Sequence, residues 1–250
     1  MSQARQPWYA HDAESDRTPR RVLVVAAHPD DIDFAAAGTV AGFTRAGARV
    51  AYCVVTSGGA GGFDETPRDQ MAGLRETEQR AAAAAVGVDD VTFLGYPDGR
   101  LAVSLELRRD ITREIRRHRP DVVITTSPLR NWQHIARSHP DHLATGEATL
   151  CAVYPDARNP FAHPGLLADE GLTEWTVPQV WLTAGPDVDH YVDITDTFDR
   201  KIAALRAHAS QVGHIDGLEE QLRQGLSAQA SAGGLPDGRL AEAFLVVDTR

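Results

Sequence analysis

Two short clusters mix imidazoles with carboxylates: His28-Pro29-Asp30-Asp31 and His139-Pro140-Asp141-His142. Imidazole nitrogen and carboxylate oxygen together suit zinc or a related divalent ion. A catalytic zinc site takes about three protein ligands and keeps one position open for water. His28 and Asp31 can supply two donors, and His142 can complete a His–Asp–His set. The matching chemistry is hydrolysis, with the ion polarising a carbonyl and drawing the acidity of a water toward neutral pH. His134, His163, His190 and His214 stand alone and read as ordinary surface or core histidines.

The two clusters must be carried to one place by the elements around them. "RVLVVAA" reads as a buried strand, and residues 33–46 as a helix stopped by Gly47. "RVAYCVVTS" is a second strand, followed by the glycine-rich loop "SGGAGGFDETP", which suits a pocket rim or a plain connector. A long helix runs from about Asp69 through "RAAAAAV" to Gly87, and "VTFLGY" makes a third strand. Leu107, Ile111 and Ile115 form an i, i+4 stripe on a helix, and "DVVITTS" makes the fourth strand. The arginines of that helix (108, 109, 113, 116, 117 and 119) read as a solvated face.

Pro140 suits the first position of a helix. "PQVWLTA" and "HYVDIT" are short strands, "TDTFDRKIAALRAHASQ" a helix capped by Thr195 or Asp196, and "AEAFLVVDT" a last strand. Strand–helix repeats with nearly continuous apolar strands imply a parallel sheet covered on both faces. The expected fold is a Rossmann-like three-layer α/β/α sandwich with a mainly parallel sheet. In such a sheet ligands bind beyond the carboxyl ends of the strands, where both clusters fall.

The chain has 250 residues, long enough for one large α/β domain. Its balance of 25 basic against 35 acidic side chains disfavours a nucleic-acid or anionic-membrane partner. Residues 1–20 are polar and lack the apolar core of a signal peptide, so they read as an N-terminal arm before a single domain, 21–250. No apolar run reaches membrane-spanning length. Cys53 and Cys151 read as unpaired core residues, and a reducing cytoplasm is the expected location. The first strand lacks the G-x-G-x-x-G of dinucleotide binding, and no G-x-S-x-G elbow of a serine hydrolase is present.

In order, "AHPDD", Arg75 with Glu78, "GYPDG" and "HPDH" resemble the LmbE-like, or PIG-L, family of zinc-dependent N-deacetylases. The similarity spans about residues 21–210, with "HASQ" resembling the family's late helix. The resemblance implies that His28, Asp31 and His142 are the metal ligands and Asp30 the general base. It implies that His139 stabilises the oxyanion or protonates the leaving amine, and that Asp141 orients an imidazole. Arg75 and Asp98 match positions that line the family's substrate pocket. The implied cofactor is Zn2+, with Fe2+ or Co2+ as alternatives. The implied partner is a small N-acylated molecule of amino-sugar or glycoconjugate type, and a homo-oligomer is compatible with the family.

Two positions depart from the pattern. Ile32 stands where many members carry Glu, with Asp33 one place later. Arg137-Ser138 replaces the Tyr-Gly that precedes the second motif in mycothiol-type deacetylases. The competing readings are an amidase acting on a thiol conjugate or other non-sugar amide, and a metal-free protein that only binds a glycan.

Overall fold

The structure, a computed structural model, describes residues 18–63 and 65–250. Residues 1–17 of the expected arm therefore lie outside the described residues. Five parallel strands form the core of the sheet: β1 (Arg21–Ala26), β2 (Arg49–Thr56), β3 (Asp90–Tyr96), β4 (Val122–Thr126) and β5 (Gln179–Thr183). Two further strands, β6 (His190–Asp193) and β7 (Ala241–Asp248), extend it in antiparallel fashion. The seven strands lie in the order β3-β2-β1-β4-β5-β7-β6. The terminal strand β7 thus slots between β5 and β6.

The central strands are nearly continuously apolar because both faces are covered. Val22 and Val24 point to one face, where they meet Ile32, Ala36 and Val40 of α1 (Asp31–Arg45), Ala82 and Ala83 of α2 (Arg68–Ala85) and Phe198 and Ile202. Leu23 and Val25 point to the other, against Leu107, Ile111 and Ile115 of α3 (Leu105–His118) and Ala148 of α4 (Pro140–Cys151). This is the three-layer α/β/α sandwich expected from the strand–helix alternation. Among the described residues no helix is long and apolar enough to cross a membrane.

Several local readings need correction. α1 begins at Asp31 rather than at residue 33, directly on the first cluster. Arg116 does not face solvent: it is buried, and its guanidinium donates to the carbonyls of Asp156 (3.0 Å) and Asn159 (2.8 Å). Cys53 is buried, but Cys151 is only half-buried. After the short α5 (Pro164–Ala168), the late helix divides at His208 into α6 (Phe198–Ala207) and α7 (Ala209–Val212). Thr195 does not cap it, because the Thr195 hydroxyl bonds Asp193 and accepts the Leu240 N–H in a preceding turn. A further helix, α8 (Leu218–Ala232), precedes β7 and places Leu226 in the core.

Candidate metal centre

β1 and β4 are neighbours, yet their onward connections diverge: β1 leads to β2 on one side and β4 to β5 on the other. A crevice opens between their carboxyl ends at such a reversal. The first cluster follows β1 at once. The second reaches the same crevice through the loop after β4, as the opening of α4.

The turn after β1 is tightly specified. Asp30 occupies the N-cap of α1 in the left-handed region (φ 86°), where a non-glycine residue costs on the order of 1–3 kcal/mol. Aspartate at this position ordinarily accepts a helix N–H with its carboxylate, but Asp30 caps nothing. Its carboxylate instead meets Arg75 Nη2 at 3.2 Å, and the same nitrogen donates to the Pro29 carbonyl. Asp31, the first helical residue, accepts the His28 backbone N–H at 2.8 Å.

His28 presents its two ring edges to different partners. Nδ1 lies 3.4 Å from Asp31 Oδ2 and 3.2 Å from His142 Nε2, while His142 Nε2 lies 3.0 Å from Asp31 Oδ1. Donors held about 2.0–2.2 Å from one tetrahedral ion stand roughly 3.4 Å apart, so the spacing of these pairs, reached through both Asp31 oxygens, is that of a metal site. His28, His139 and His142 also each offer one ring nitrogen within 4.8 Å of the others. On the opposite edge, His28 Nε2 lies 3.0 Å from Asp98 Oδ1 and 3.2 Å from Asp141 Oδ2. Carboxylates behind a ligand imidazole fix its orientation and raise its basicity. Asp141 is buried and also accepts the N–H groups of Gly99 (2.7 Å) and Leu101 (3.2 Å).

His139 is the N-cap of α4, and Pro140 takes the first helical position as expected. His139 Nδ1 accepts the Asp141 N–H at 3.2 Å, which leaves Nε2 to carry the ring proton in the neutral form. The ring stands edge-on to His28 with centroids 5.0 Å apart. The structure therefore brings His28, Asp31, His139, Asp141 and His142 to one point. Asp98 joins them from behind the His28 ring, and it also accepts the Ala60 N–H at 2.8 Å. Arg75 lies beneath Asp30 and is only 4% exposed, its other contact being the Gly58 carbonyl at 2.9 Å. Both residues border the site chiefly through protein contacts.

Negative charge dominates the cluster. Burial disfavours the His28 imidazolium, yet hydrogen bonds to Asp31 and Asp98 overcome it and raise the pKa to about 10. Burial would lift Asp31, but the His142 and His28 rings outweigh it and hold the carboxyl well below the usual range. Burial and the neighbouring Asp31 push Asp30 up to about 7, against the pull of Arg75. Desolvation and the two neighbouring rings lower His139. Carboxylates that recruit a proton onto His28 would be served equally by a cation at its Nδ1 edge. The donor set and its spacing fit a divalent ion.

Two cavities of about 330 and 460 Å³ lie elsewhere, one beside α1 and β6 and one at the opposite end of the sheet. Neither contains a residue of the two clusters, and neither gathers donors as the β1–β4 crevice does.

Sequence reasoning missed three buried residues behind Asp30. Gln79 Oε1 accepts the Asp30 N–H (2.9 Å), and Gln79 Nε2 donates to Asp33 Oδ2 (2.9 Å). His208 Nε2 lies 2.8 Å from the same oxygen. The only sequence signals were Asp33 following Ile32 and the "HASQ" segment; Gln79 carried none.

Fold, crevice and donor set together define an α/β protein with two His/Asp clusters whose donors could hold a metal ion. The chain belongs to the PIG-L family (GlcNAc-PI de-N-acetylase), whose pattern it matches over residues 23–153, a span that includes both clusters. It is 30% identical over 193 residues to the diacetylchitobiose deacetylase of Thermococcus kodakarensis, covering 77% of this chain and 70% of that protein. It is 32% identical over 203 residues to a probable N-acetyl-alpha-D-glucosaminyl L-malate deacetylase of Bacillus anthracis, covering 78% and 83%. The N,N'-diacetylchitobiose deacetylase of Pyrococcus horikoshii, solved with an inhibitor, superposes with a TM-score of 0.84 at 28% identity, over 98% of this chain and 87% of that one.

Proposed function

We propose that this chain is a zinc-dependent N-deacetylase that hydrolyses the acetamido group of an amino sugar or amino-sugar glycoconjugate. Fe2+ and Co2+ are the other ions its donors suit. The observation that carries the reading is the convergence of His28 Nδ1, His142 Nε2 and the two Asp31 carboxylate oxygens, paired at 3.0–3.4 Å, in a chain of deacetylase family. The named activities of the relatives supply the substrate class.

His28, Asp31 and His142 would hold the ion, which when bound polarises an amide carbonyl and activates water at neutral pH. Asp30 is the general base: its carboxylate, released from helix capping, takes a proton from the attacking water. The same group can return that proton to the amine, which leaves poorly without it. His139, with its ring proton on Nε2, donates to the carbonyl oxygen as negative charge gathers there. Losing one such donor costs about 3–4 kcal/mol of barrier. Asp141 and Asp98 hold the His28 ring, and Arg75 holds Asp30. Arg75 and Asp98 can also meet a sugar hydroxyl by yielding a protein contact. The free thiols of Cys53 and Cys151 fit work in a reducing compartment.

The test is metal content by mass spectrometry beside acetate release from N-acetylglucosamine and diacetylchitobiose. Wild type should hold about one divalent ion per chain and release acetate. His142→Ala should lose the ion, and Asp30→Asn should keep it while losing most turnover. A wild type that takes up no ion after reconstitution with zinc would overturn the reading in favour of a metal-free binding protein. An active Asp30→Asn would remove the base assignment alone.

A further inference from the structure

We infer that Gln79 is a positioning residue for Asp30, itself held in register by the buried Asp33–His208 pair. The inference rests on the proposed role of Asp30 as base. It explains how a residue in an unfavourable backbone conformation stays turned away from its usual capping partner.

The chain of contacts has a single direction. The Asp30 backbone N–H can only donate, so it fixes Oε1 of Gln79 toward itself at 2.9 Å. That leaves Nε2 to donate to Asp33 Oδ2, also at 2.9 Å. Since this carboxylate oxygen accepts, the His208 nitrogen 2.8 Å away carries a proton. An inverted Gln79 amide would set N–H against N–H and oxygen against oxygen. Gln79, Asp33 and His208 are each fully buried, so water does not replace a lost link.

Three separate segments meet here. Asp33 belongs to the first turn of α1, Gln79 to the middle of α2, and His208 to the break between α6 and α7. The break is fastened independently: Glu78, adjacent to Gln79, accepts both the backbone N–H (2.8 Å) and the hydroxyl (2.6 Å) of Ser210. α2 is thereby pinned to the "HASQ" segment at one residue and to the Asp30 turn at the next. Arg75, one helical turn earlier on α2, grips the Asp30 carboxylate and the Pro29 carbonyl. One helix thus sets both the backbone and the side chain of the base. Gln79 is fully buried and its side-chain hydrogen bonds go to Asp30 and Asp33, not to His28, Asp31 or His142, so it acts on the site through Asp30.

The experiment is steady-state kinetics on zinc-loaded protein with diacetylchitobiose. It compares Gln79→Met, His208→Leu, His208→Gln, the Gln79→Met/His208→Leu double variant and Asp30→Asn. Misplacement of a reacting group by about 1 Å can cost about a hundredfold. Gln79→Met should lower kcat roughly ten- to a hundredfold with KM and metal content near wild type. His208→Leu should do the same, and the double variant should be little worse than either single, since both break one chain. His208→Gln, which still offers an N–H to Asp33, should recover part of the loss and remains informative if the leucine variant fails to fold. Wild-type kcat in Gln79→Met, fully multiplicative losses in the double variant, or a loss confined to metal content would each overturn the inference. Loss of turnover in Asp30→Asn with none in Gln79→Met would reject positioning and spare the base; an active Asp30→Asn would reject the base.

Discussion

His28 Nε2 lies 3.0 Å from the Asp98 carboxylate, on the ring edge opposite the one that faces Asp31. The bond to His28 also draws the Asp98 pKa down to about 2. Removing that charge should leave the imidazole a poorer and less well-oriented ligand. If the proposed centre binds zinc through His28, Asp98→Asn is expected to weaken that binding about 10- to 100-fold while stoichiometry at saturating zinc stays at wild-type level. Competition with a chromophoric chelator would measure this. Unchanged affinity would mean that Asp141 alone secures the ring.

The glycine-rich loop is shaped by Arg75. Gly58 has φ +67°, and a Cβ there would fall 2.4 Å from the Arg75 guanidinium. Gly58→Ala should therefore push Arg75 off Pro29 and Asp30, costing about 1–3 kcal/mol in stability and most of the turnover. At Gly59 an added Cβ meets only Ala72 at 3.8 Å, so Gly59→Ala should behave as wild type. Equal effects in the two variants, by thermal melting and acetate release, would contradict this account.

Lys201 and Glu242 form a wholly buried ion pair at 2.7 Å. Lys201 also donates to the carbonyls of Asp33 and Phe34, and Glu242 accepts from Gly38 and Thr39, so the pair fastens α1 to β7. Lys201→Met would strand a buried carboxylate, with an expected loss of about 3–5 kcal/mol in urea unfolding. Adding Glu242→Gln should restore part of it. A loss below about 1 kcal/mol would show that water reaches the pair.

Acid sensitivity should arise partly at His190. Burial lowers its pKa from the ordinary 6.5 to about 4, and its Nε2 has no hydrogen-bond partner among the described residues. Between these values the unfolded chain binds a proton that the folded one refuses, so stability falls as pH drops through that window. At about pH 5 the contribution is roughly 2 kcal/mol. His190→Phe should lose less stability than wild type between about pH 7.5 and pH 5, by about that amount. Parallel pH profiles would exclude His190 as the source.

The sequence alone determined the sheet and where its chemistry would fall. Apolar runs at β1, β2 and β4 announce strands buried on both faces, and the abrupt change to His-Pro-Asp after β1, repeated in the segment beyond β4, marks a functional edge. Pro140 fixed the start of α4, and with it the placement of His139 as cap and His142 in the first turn. These are local signals, written in residue type and short spacing.

Only the tertiary structure decided which atoms of these residues meet. Asp98 and Asp141 lie 70 and 113 residues from His28 along the chain, yet both converge on its Nε2, which no local period encodes. Gln79 looks like any polar residue of an amphipathic helix, and Arg116 like one more arginine of a charged face. Their roles follow from burial, which obliges each polar atom to find a partner wherever packing brings one. Packing likewise inserted β7 between β5 and β6 and broke the late helix at His208, beside Asp33. The two His/Asp clusters, with Asp98 and Arg75, were thus legible in the sequence, whereas the buried links through Gln79, Asp33 and His208 emerge from long-range contacts alone.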